Sequence, residues 1–158
     1  MFTQKTFFGM IATAFLFAAI LLPFNSTFAQ DDGLVTVQSS ASYDETISTL
    51  ERLVSQNDMM VLSEIDQGNI MSMAGMQLKV TSLFVGNPTV GKKLFEQNHG
   101  AGLVVPIRIN VYEGEDGNTY VNYFKPSLQL SAYESGKFDE LGKMLDEKLG
   151  KMTSMLAE

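Results

Sequence analysis

Between Phe84 and Tyr112 the chain reads FVGNPTVGKKLFEQNHGAGLVVPIRINVY, and its punctuation leaves few architectures open. An apolar run ends at Gly86-Asn87-Pro88, a short helix over 88–98 follows, and a second apolar run starts at Pro106. Each junction carries the residue its geometry needs. Asn87 is a strong helix N-cap, and Pro88 suits the first helical position, where a missing N–H costs nothing. Gly100 and Gly102 break the helix before Leu103 and Val104. Ile107, Ile109 and Val111 then alternate with Arg108, Asn110 and Tyr112, which gives a strand with one buried face.

The first residues predict export. Lys5 supplies a positive start, Phe7 to Leu22 is an apolar run of 16 residues, and Thr27-Phe28-Ala29 offers the small residues a signal peptidase reads. The run is shorter than the roughly 20 residues a spanning helix needs. Cleavage after Ala29 would leave one domain over 30–158, beginning at Gln30, in a periplasmic or extracellular location. Removing 29 of 158 residues takes away one lysine and no acid, so the net charge moves from −7 to −8. Such a surface repels nucleic acid and anionic lipid, which excludes both as partners. No membrane insertion is expected after cleavage. The chain has no cysteine, which removes thiol catalysis, thiolate metal sites and a lipoprotein anchor. It also removes disulfides, so the fold must rest on core packing, dimerisation or both.

Periodicity fills in the rest. Leu34–Gln38 alternates as a first strand, and Ser42-Tyr43-Asp44-Glu45 fits a capping box opening a helix to residue 56. Met59–Asp66 and Leu78–Val85 read as strands, with a turn at Gln67-Gly68-Asn69 and a bend or frayed helix turn at Ile70–Met76 between them. Asp116-Gly117 marks a hairpin returning through Thr119–Phe124. Phe138, Leu141, Leu145, Leu149, Met152 and Leu156 form the stripe of a C-terminal helix over 137–156, weakened by Gly142 and Gly150. The prediction is α+β: one compact domain, an antiparallel-rich sheet packed with two or three helices, core about 34–133, forming a homodimer.

Gly86, Asn87, Pro88, Gly91, Ala101, Gly102, Leu103, Pro106, Arg108, Val111, Tyr112 and Glu113, followed by Tyr123 and Pro126, occur in an order and spacing that resemble domain-of-unknown-function family 302. That resemblance implies a compact, commonly dimeric α+β fold with no established catalytic activity. Three positions depart from the pattern: Lys92 replaces a threonine, Gln67 a histidine after Asp66, and Phe124-Lys125 an Asn-Asp pair. Without the imidazole, an Asp-His metal or proton-transfer role does not carry over.

The candidate chemistry is sparse. Gly86 to Lys93 nearly matches a phosphate-binding loop, but Pro88 has no N–H and Lys93 replaces the magnesium-binding hydroxyl. What survives is a small anion on the exposed amides of this helix with Lys92 and Lys93. Met71, Met73 and Met76 carry thioethers that select Cu(I), against the commoner use of methionine in core or interface packing. His99 is alone and reads as a helix C-terminal residue. Glu64 and Asp66 share a strand face, a weak sign of acid–base work. Arg108, Asn110 and Tyr112 are types that anchor interfaces or hold a carboxylate. With Asn87 and Lys92 they are the candidate ligand or interface residues. The sequence therefore predicts a non-catalytic exported module that binds a small ligand or protein partner and uses no cofactor. A Cu(I) site at the methionines is the alternative, and an uncharacterised enzyme the weaker one.

Overall fold

In a computed structural model the described residues are 33–158, so the expected signal segment lies outside them. Five strands, β1 (Leu34–Gln38), β2 (Met60–Asp66), β3 (Val80–Gly86), β4 (Ile107–Glu113) and β5 (Thr119–Phe124), form one antiparallel sheet in the order β1-β5-β4-β3-β2. Five helices, α1 (Tyr43–Gln56), α2 (Gln67–Ser72), α3 (Pro88–Phe95), α4 (Pro126–Leu130) and α5 (Gly136–Ser154), complete the α+β domain.

The sheet buries one face. Leu83, Val85, Ile107, Ile109, Val111, Val121 and Tyr123 pack there against Leu50, Leu53 and Val54 of α1. Leu145, Leu149 and Met152 of α5, with Leu156 beyond it, close the same core. The C-terminal stripe is thus used within its own chain. A smaller cluster around Leu94, Val104, Leu130 and Phe138 joins α3, α4 and the start of α5.

Local chemistry explains the ends. At the α1 start, the Glu45 carboxylate accepts the Ser42 N–H at 3.2 Å and the Ser42 hydroxyl at 2.7 Å. Asn87 Oδ1 accepts the Thr89 and Val90 amides at 2.8 and 3.1 Å, as an N-cap should. Its Nδ2 also donates to the Asp58 carbonyl at 2.5 Å. The expected helix over 88–98 is shorter: α3 stops at Phe95, and His99 opens a 3₁₀ turn (His99–Leu103) whose first amides Asn98 caps. His99 is therefore not a helix C-terminal residue. Its neighbour Asn98 accepts the Gly100 N–H at 2.7 Å, which favours the tighter turn.

Asp66 has a structural partner too. Its carboxylate accepts the Asn69 N–H at 2.8 Å and caps α2, which is already helical over the 67–69 stretch expected as a turn. At the far end of α2, the Met76 N–H reaches the Met71 carbonyl and the Gly75 N–H the Ser72 carbonyl, with Gly75 at φ 81°. This is a Schellman cap, whose two flanking positions ordinarily share an apolar contact. Met71 and Met76 occupy them. The five-residue spacing of those methionines thus has a backbone reason.

Candidate functional site

Two surfaces compete for function. The first is the open face of the sheet. Arg108 and Asn110 lie there with Tyr112, facing away from buried Ile107 and Ile109 as the alternation requires. The register sets Phe84 beside Arg108, and Tyr112 beside Tyr120. The two tyrosine rings stack with centroids 5.5 Å apart. Between these rows runs a polar one. The Ser82 hydroxyl lies 3.1 Å from Gln67 Oε1 and 3.3 Å from Asn110 Oδ1, and Asn110 Nδ2 donates to Asn122 Oδ1 at 3.2 Å. Gln67, at the position where the family pattern has histidine, is one end of this ladder. Leu34, Ile65 and Phe124 stay exposed on the same face.

The second surface is a cavity of about 460 Å³ at the end of the sheet, where β3 turns into α3. Gly86, Asn87 and Pro88 form its floor, and Val105 and Pro106 a wall. Val90, Gly91 and Phe95 line it from α3, Met144 and Leu145 from α5, and Met59 and Leu62 from the β2 side. Its surface is overwhelmingly apolar, with Lys92 and Lys148 as the only charged side chains lining it among the described residues. Leu62, Phe95 and Met144 are each at least 40 % exposed, so the apolar surface opens to solvent. Lys148 Nζ donates to the Asn57 carbonyl at 2.8 Å, while Lys92 pairs with Glu96 at 3.7 Å, with both side chains mostly exposed.

The structure separates the expected site residues. Asn87 and Lys92 belong to the cavity, whereas Arg108, Asn110 and Tyr112 belong to the sheet face. The anion expected on the amides of α3 has nothing to bind, because Asn87 already takes the Thr89 and Val90 amides. Met71 is half-buried, Met76 is exposed and Met73 is 83 % exposed, so the latter two are not core filler. Among the described residues, no group of three or more His, Cys, Asp or Glu could hold a metal. A polar hollow at the opposite end of β4 contains the Lys79–Glu113 pair at 2.7 Å, whose charges satisfy each other.

Lys148, Met144, Phe95 and Leu62 were not singled out from the sequence. The only signal for them was indirect. The family-pattern residues Gly86, Asn87, Pro88, Gly91 and Pro106, scattered over 21 positions, converge on one cavity.

A family model described as "Domain of unknown function DUF302" matches residues 35–158. The chain belongs to the DUF302 family. The match includes α5, which the sequence resemblance left outside the core. An uncharacterized conserved DUF302 protein from Bacillus stearothermophilus has a similar structure, with a TM-score of 0.74 and 21 % identity, covering 79 % of this chain and 98 % of that one. At that identity the likeness speaks for the fold. The DUF302 chain is also 34 % identical over 107 residues to proteins named fluoride-specific ion channel FluC 1, from Brucella suis and from Brucella abortus. The aligned part is 67 % of this chain but only 42 % and 40 % of those relatives, and the activity in their names is that of the whole proteins.

Proposed function

We propose that this DUF302 domain is a non-catalytic binding module that takes a small, mainly apolar molecule into the cavity between α3 and α5. The cavity itself carries the reading. Its volume lies in the range of small-molecule sites, roughly 300–1,000 Å³, and its lining is apolar with a few polar side chains, Asn87, Lys92 and Lys148, as such sites usually are. Among the described residues no nucleophile–base pair lines it. We place the module outside the cytoplasm on the strength of the N-terminal apolar segment. Fluoride conduction is no part of this reading. Among the described residues no helix is long and apolar enough to cross a membrane.

Gly91 provides the test. A Cβ added there would meet nothing within 4 Å, so Gly91→Leu can grow into the cavity without straining α3. The neutral dye Nile red should fluoresce with the native protein, and Gly91→Leu should lose most of that signal at an unchanged melting temperature. Equal dye binding by both proteins would remove the cavity as the site.

The homodimer belongs to the same proposal, through the sheet face rather than α5. Arg108, two tyrosines and three exposed apolar side chains give that face the composition of an interface core, poor in charge on an otherwise acidic chain. Sedimentation at micromolar concentration should give a dimer that Tyr112→Glu dissociates. A monomer at every concentration would end the dimer reading and leave the cavity untouched.

A further inference from the structure

We propose that the cavity selects a single-chain amphiphile ending in one carboxylate, an inference that rests on the cavity being the binding site. The argument is one of charge. The chain has 18 acidic and 11 basic residues, yet among the described residues no Asp or Glu lines this cavity, while Lys92 and Lys148 both do. On a surface of net charge −7, an acid-free bowl with two ammonium groups is a local reversal of sign.

The two lysines are not equivalent. Lys148 is half-buried and spends one N–H on the Asn57 carbonyl, which fixes its ammonium and leaves two N–H groups to donate. Lys92 is exposed and loosely held by Glu96 at 3.7 Å, so it can swing to a headgroup at little cost. Leu62, Val90, Phe95 and Met144 supply the apolar walls for the chain. A volume of about 460 Å³ suits one acyl chain better than two, and the two ammonium groups suit a single carboxylate at its end.

The test uses three ten-carbon competitors against Nile red bound to the full domain: decanoate, decanol and decyltrimethylammonium. Decanoate should displace the dye at least about tenfold more strongly than decanol, the scale of one charge-assisted hydrogen bond, and the cation should be weakest. Raising the salt concentration should narrow the gap. Lys92→Gln should reduce the decanoate advantage several-fold with decanol unaltered. Lys148→Gln should do so more strongly, with its melting curve recorded because the Asn57 contact is lost. If decanoate and decanol compete equally in the native protein, anion selection is wrong although the cavity reading stands. If no competitor displaces the dye, or the dye ignores Gly91→Leu, both fall. Flotation of the domain with phosphatidylglycerol vesicles but no response to decanoate would overturn the free-carboxylate assignment in favour of a membrane lipid.

Discussion

Asn87 shows how much one side chain can hold. As an N-cap alone, its replacement by alanine would cost about 1 kcal/mol. Here it accepts two amides of α3 and also donates to the Asp58 carbonyl, pinning the loop between α1 and β2. Asp58 has φ 54°, a left-handed conformation that such a tie helps to keep. Asn87→Ala should therefore cost about 2 kcal/mol, the cap plus one further hydrogen bond. Urea denaturation would measure it, and a loss below 1 kcal/mol would show that the Asp58 contact contributes nothing. Lys92→Thr, which restores the family-pattern residue, should be close to neutral for stability because the Glu96 pair is exposed.

At the scale of elements, two glycines on α5 look alike in sequence and differ in kind. A Cβ on Gly142 would lie 2.6 Å from the Ser127 Cα, because α4 packs directly over it. Asp146, one turn further on, holds α4 in place: its carboxylate accepts both the Ser127 N–H and the Ser127 hydroxyl. Around Gly150 there is nothing within 4 Å. Gly150→Ala should stabilise by about 0.5–1 kcal/mol, and Gly142→Ala should destabilise because backbone would have to move. Thermal melts of the two variants should shift in opposite directions. The same contrast shows what sequence can and cannot reveal. Periodicity and caps placed all five strands, α1 and α5, because alternation and capping are local. The short α2 escaped, since Asp66 caps it from the last residue of a strand. The cavity escaped too, because Lys148 and Gly86 meet only after α5 has crossed the sheet. Arg108, Asn110 and Tyr112 were legible as one outward face, but not as a surface separate from Asn87 and Lys92.

For the molecule as a whole, the tyrosines set an alkaline limit. Burial pushes the Tyr123 phenol up from its ordinary value, and burial does the same to Tyr43. A phenol whose pKa is raised by folding stabilises fully below the unfolded value near pH 10. That contribution is lost as pH climbs through the folded value. The unfolding free energy should thus decline above about pH 10, and less steeply in Tyr123→Phe. Urea titrations from pH 8 to 11 would show it; identical slopes would mean that Tyr123 ionises freely in the folded state.

The pairing of β1 with β5 has a consequence for how the chain is made. Leu34 sits opposite Phe124, 90 positions later, and the core face is sealed only by α5 beyond that. At 5–20 residues per second, the ribosome delivers β5 on the order of ten seconds after β1. Until then β1 has no neighbour, and β2, β3 and β4 can pair only into a sheet whose buried side lacks its last cover. This domain therefore cannot close its core until α5 has left the ribosome, and residues 33–135 alone leave part of the buried face of the sheet uncovered.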